Sequence, residues 1–129
     1  MKPWQLATTL ALSTLSGCRG SDLPPPYRDL AVPVERLASA EARQQGRALY
    51  LVSCALCHGE RGDGNGVRQN LSSHPRDFTD PAWRRRMTPR RVFYVIHEGV
   101  QGTAMPAWKA LDEGETWDLV AYVLSLAEP

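Results

Sequence analysis

The sequence predicts a small all-α domain over residues 39–129. Three observations carry that reading. Residues 39–52, 88–98 and 114–126 place apolar side chains at helical spacing. Ser39 and Thr88 stand where a side chain can cap a helix N-terminus. The Cys54-Ala55-Leu56-Cys57-His58-Gly59 stretch has neither a strand ahead of it nor a βαβ pattern around it. Composition agrees with a folded domain: 43% of residues are apolar and 22% charged. A formal net charge of +1 recommends no nucleic-acid partner.

Met1 to Gly17 reads as a secretory signal. Lys2 supplies the positive start, and Leu6 to Leu15 a short apolar core, too short for a transmembrane helix. Leu15-Ser16-Gly17-Cys18 follows directly and resembles a bacterial lipobox, which makes Cys18 the expected lipidation site. Acyl chains there would anchor the chain to a membrane, each buried methylene contributing about 0.8 kcal/mol. Residues 18–38 read as a proline-rich tether, because Pro24-Pro25-Pro26 and Pro33 forbid a continuous helix. The competing reading is a loop wrapped on the domain with Tyr27, Leu30 and Val32 packed against it. Without the signal, 14 basic and 14 acidic residues remain.

The first helix, 39–52, puts Ala42, Gly46, Leu49 and Tyr50 on one face. Gly46 costs about 1 kcal/mol there against alanine, which implies close approach of another helix. The last helix, 114–126, is the expected partner. It carries one stripe of Trp117, Val120, Ala121 and Leu124 and a second of Leu119, Tyr122, Val123 and Leu126, so it should be buried on two sides, one of them by the first helix. Between them, Thr88 caps and Pro89 begins a middle helix that Gly99 ends. Its inner face is Val92, Val95, Ile96 and Gly99, with Phe93 and Tyr94 flanking.

Cys54-x-x-Cys57-His58 is the spacing of a c-type haem attachment site. Two intervening residues let both thiols reach one edge of a porphyrin, and the adjacent imidazole can ligate its iron. A redox dithiol lacks its usual βαβ context, and a zinc site lacks a second pair of ligands at useful spacing. Gly59, Gly62, Gly64 and Gly66, with Asp63 and Asn65, mark a tight loop after the motif. That loop has neither a phosphate-loop ending nor the closing glutamate of an EF-hand.

Met105 is the leading candidate for the second iron ligand. It follows Gly102 and precedes Pro106, which biases it to an extended conformation that can cross a haem face. Trp108 can close the haem edge. Met87, His97 and His74 are the rivals. Arg84, Arg85, Arg86, Arg90 and Arg91 read as a solvated face or as a docking patch for an acidic partner or anionic lipid. An arginine or Trp83 is a candidate hydrogen-bond donor to a haem propionate.

Gly46 and Tyr50, Cys54-x-x-Cys57-His58, the Gly102-Thr103-Ala104-Met105-Pro106-Ala107-Trp108 segment, and Leu119 with Tyr122 together resemble a class I cytochrome c of the single-haem bacterial kind. The likeness runs from about Glu41 to Leu126. It implies a small cytochrome c fold, with three main helices and loops wrapped around one covalent haem c. It also implies a crossing of first and last helices, and a proline carbonyl as acceptor for the His58 ring N–H. Pro75 is the candidate for that carbonyl and Pro81 the runner-up.

His58/Met105 ligation would fill both axial positions, leaving no site for a small-molecule substrate. The expectation is a one-electron carrier, not an enzyme, working outside the cytoplasm between a redox-protein donor and acceptor. It would be tethered to a membrane facing the periplasm or cell exterior, and could belong to a respiratory complex. The alternative is a haem enzyme or gas-binding sensor with a labile distal methionine.

Overall fold

The computed structural model describes residues 22–128, which hold six α-helices and no strand. The signal segment and Cys18 lie outside the described residues. The helices are α1 (Val34–Ala38), α2 (Ala40–Ser53), α3 (Ala55–His58), α4 (Pro81–Arg86), α5 (Pro89–Glu98) and α6 (Glu113–Ser125). The three long ones, α2, α5 and α6, are those that the periodicity predicts. None of the described helices is long and apolar enough to cross a membrane.

Each long helix begins on a side-chain cap. Ser39 Oγ accepts from Ala42 N at 3.1 Å, and Thr88 Oγ1 accepts from Arg91 N at 3.2 Å with Pro89 at the first helical position. In α6, Asp112 accepts from Glu115 N at 2.8 Å while Glu115 accepts from Asp112 N at 2.9 Å. This reciprocal capping box starts the helix one residue before the predicted Gly114.

The core is organised by the crossing of α2 and α6. A Cβ at Gly46 would overlap the Asp118 carbonyl oxygen and lie 2.5 Å from its carbon. Only glycine lets the two backbones meet there. Tyr50, one turn on, is fully buried and meets the Tyr122 ring edge-on at 5.1 Å. From Thr116 to Leu124 every residue of α6 is buried. On the second buried face expected of it, α5 and α1 cover part of α6, with Phe93 and Trp117 rings 4.6 Å apart. The inner face of α5 is therefore rotated from the predicted one: Phe93 is in the core, and Val95 is half-exposed.

The proline-rich stretch resolves in favour of the wrapped reading. Leu23 is buried, Tyr27 to Asp29 forms a 3₁₀ turn, and α1 lies on α6. Arg36 of α1 makes two hydrogen bonds to the buried Asp118 carboxylate, at 2.7 and 2.9 Å, which stabilises a charge that would be costly alone. Arg90 Nε donates to the Leu30 carbonyl at 2.6 Å, and Arg84 Nε to the Leu124 carbonyl at 3.2 Å. Two arginines of the predicted surface run thus tie segments together, leaving Arg85, Arg86 and Arg91 exposed.

Gly46→Ala should separate the two helices. Overpacking outweighs the gain in helix propensity, so we expect a loss of about 2 kcal/mol or more, read as a lower unfolding midpoint of the holoprotein.

Candidate haem site

Helix α2 delivers the site. It ends at Ser53, and α3 adds a single turn in which Cys57 N and His58 N both donate to the Cys54 carbonyl, at 3.2 and 3.0 Å. Within one turn, residues three apart share a face, so Cys54 and Cys57 lie on one side, with His58 next in line. Both thiols are free and half-buried. Burial, then the neighbouring Cys57, pushes the Cys54 thiol up to about 11.

Such a short helix leaves carbonyls without partners. The glycine loop supplies them. Gly64 N donates to the His58 carbonyl at 2.8 Å, Gly66 N to Cys57 at 3.1 Å, and Arg68 N to Leu56 at 3.0 Å. Gly59 and Gly64, at φ 84° and 83°, make the required reversals. Tyr50 Oη closes the loop from the core side by donating to the Gly59 carbonyl at 2.6 Å.

His58 is held on two sides. Its Nδ1 lies 3.1 Å from the Arg76 carbonyl, and its ring stacks on Phe78 at 4.5 Å. The acceptor is thus Arg76, not Pro75 or Pro81. Phe78 N is pinned to the Gly62 carbonyl at 2.7 Å, which sets the register of the chain leading to it. The Arg76 oxygen meets the imidazole, while that of Pro75 lies beside Gly64. Pro81 instead begins α4. Burial lowers the His58 pKa, opposed by the Arg76 hydrogen bond. A neutral imidazole with Nδ1–H committed to a carbonyl presents Nε2 as a metal ligand.

Trp83 is buried, with its ring 5.1 Å from Phe78. It backs the aromatic on which His58 rests. Phe78 and the Arg76 carbonyl escape detection in the sequence: a backbone oxygen has no residue signature, and Phe78 carries no motif.

Met105 is half-buried in the loop after α5. Gly99, at φ 71°, turns the chain so closely that a Cβ there would lie 2.8 Å from the Met105 carbonyl oxygen. Val100 N donates to that oxygen at 3.2 Å, and Met105 N to Thr103 Oγ1 at 3.2 Å. Trp108, half-buried against the core, donates its backbone N–H to the Ile96 carbonyl at 3.0 Å. The rivals have other neighbours, although His74 shares a pocket with Cys57. His97 Nδ1 is engaged by Tyr27 Oη at 2.7 Å, Met87 caps the end of α4, and His74 lies beside Gly64.

The donor set fits haem c: two free thiols on one turn and an oriented imidazole beside them. Exposed apolar side chains flank it, as a flat apolar macrocycle would require: Val52, 86% exposed, Leu56 and Val67 near the thiols, and Val100 beside the methionine loop. Among the described residues no cluster of three His, Cys, Asp or Glu could hold a metal ion.

Comparison with known proteins agrees. Residues 41–123 match the family described as cytochrome C oxidase, cbb3-type, subunit III. A cbb3-type cytochrome c oxidase subunit FixP from Azorhizobium caulinodans is 36% identical over 67 residues, which is 52% of this chain and 21% of that protein. A chain of the Kuenenia stuttgartiensis reducing HAO-like protein complex superposes with a TM-score of 0.54 at 28% identity, over 65% of this chain and 41% of the other. The chain thus spans about a fifth of the curated relative and two fifths of the solved one. With the helical fold, the Cys-x-x-Cys-His turn and the family match in hand, the chain belongs to the cbb3-type cytochrome c oxidase subunit III family, as a c-type cytochrome domain for one haem c.

Proposed function

We propose that this domain carries single electrons between two redox proteins outside the cytoplasm, as a membrane-tethered carrier or as a subunit of a respiratory complex. In this reading Cys54 and Cys57 would hold one haem through thioethers, and His58 and Met105 would ligate its iron. The carrying observation is the His58 imidazole, fixed through Nδ1 on the Arg76 carbonyl and against Phe78, with Nε2 left to bind.

When bound, the haem supplies an iron that changes by one electron. The chain's own residues do the rest. The His58–Arg76 hydrogen bond fixes the imidazole plane and raises its basicity as a ligand. The loop from Gly99 to Trp108 would present Met105 as the second iron ligand, which would leave no open position for substrate or gas. Covalent attachment suits a small domain, because a modest core gains a large apolar surface to pack against. Cys18 is the proposed lipid anchor. The exposed Arg85, Arg86 and Arg91 are the proposed docking surface for an acidic partner.

Met105→Ala should keep the haem attached yet let the reduced protein bind carbon monoxide, followed by its absorbance change. Ready binding by the unsubstituted protein would instead favour the gas-sensor or enzyme reading. Cys54→Ala or Cys57→Ala should weaken or abolish covalent attachment, seen as lost haem staining after denaturing electrophoresis. Cys18→Ser should move the protein from the membrane to the soluble extracytoplasmic fraction; retention in the membrane fraction would remove the lipid anchor from the proposal.

A further inference from the structure

The wrapped N-terminal segment touches the base of the methionine loop. Tyr27 packs its ring edge-on against Tyr94 at 4.9 Å and tilts over His97 at 5.8 Å. Its hydroxyl donates to the Glu98 carboxylate and lies 2.7 Å from His97 Nδ1. The other Glu98 oxygen pairs with Lys109 Nζ at 2.9 Å. Glu98 is the last residue of α5, and Lys109 stands four residues beyond Met105. One carboxylate therefore ties the N-terminal segment to the start and the return of the loop carrying Met105.

Ring packing and polar contacts together hold Tyr27 in place. A cavity of about 230 Å³ lies alongside, lined in part by Pro26, Leu30, Leu111 and Glu113. The Tyr27 hydrogen bond, then that of Lys109, holds the Glu98 carboxyl down to about 2, so it is ionised in any ordinary buffer. Hydrogen bonds to a charged group are the stronger kind.

We propose that Tyr27 is a positioning residue for Met105: through Glu98 and Lys109 it fixes the base of the loop, and so limits how readily the thioether leaves the iron. The inference rests on Met105 being an axial ligand. Its consequence is that the stretch leading to the N-terminus is part of the haem ligation apparatus. Apparent affinity for an exogenous ligand scales with the fraction of molecules whose methionine is off, so loosening the loop reads out directly.

The test uses the full-length holoprotein and four variants: Tyr27→Phe, Glu98→Gln, their double substitution, and Met105→Ala. Two readouts apply: the far-red sulfur-to-iron band of the oxidised form and carbon monoxide affinity of the reduced form. Phenylalanine keeps the ring packing and removes only the hydroxyl, so haem content and helical circular dichroism should stay as in the parent. Carbon monoxide affinity should rise about ten-fold, the size expected for one lost hydrogen bond to a charge. The band should weaken under mild denaturant sooner than in the parent. The double variant should do little more than Glu98→Gln alone, because both act through one carboxylate.

Parent-like affinity and band in Tyr27→Phe, with Met105→Ala opening the iron, would overturn the clasp and leave the ligand assignment standing. If Met105→Ala changes neither readout, the ligand assignment fails and the clasp falls with it.

Discussion

The backbone contact between Gly46 and Asp118 governs the geometry of the whole domain. Because α2 and α6 meet without a side chain between them, their axes come close enough for Tyr50 and Tyr122 to pack edge-on one turn further along. That contact fixes where α2 ends, and so where Cys54 leaves it. Tyr50 then serves both sides of the junction: its ring belongs to the core, and its hydroxyl holds the Gly59 carbonyl at the end of the Cys-x-x-Cys-His turn. The geometry of the turn is thus inherited from a helix crossing, and a rigid crossing is what a site needing fixed ligand positions requires.

Around the turn, backbone satisfaction and ligand orientation are one problem. The glycine loop is tight because it must deliver three N–H groups to the carbonyls of Leu56, Cys57 and His58 within a few residues. Folding back this way brings residues 76–78 against the histidine, where the Arg76 carbonyl and the Phe78 ring take hold of it. Trp83 in turn backs Phe78. The proximal side is a stack of supports that runs from a surface loop into the core.

The features legible in the sequence are the local ones. Thr88-Pro89 and Gly99 are short-range signals, and they bracket α5 at both ends. The Cys54–His58 spacing is likewise contained in five residues. Gly46 is legible as a propensity penalty that only a close contact explains. Asp118 is not: a carboxylate inside an otherwise apolar helix gives no sign that Arg36, 82 positions earlier, will meet it. The same holds for Tyr27, whose partners lie some 70 positions away. Proline content correctly excludes a long helix from residues 22–38, yet it cannot decide between an extended strap and a wrapped one, because polyproline geometry suits both. The expected acceptor for His58 is displaced by one residue for a related reason: register depends on Phe78, a distant stacking contact.

The wrapping of residues 22–38 would also shorten the leash of a lipid attached at Cys18. Had that stretch been free, a lipid on Cys18 could have let the haem domain roam several nanometres above a bilayer. With Leu23 already buried in the domain, Asp22 comes only four residues after Cys18, a reach of about 13 Å at full extension. An anchored molecule of this design would hug its membrane, and its electron donors and acceptors would have to be met edge to edge, close to the lipid headgroups, not by a long-armed search through the space above.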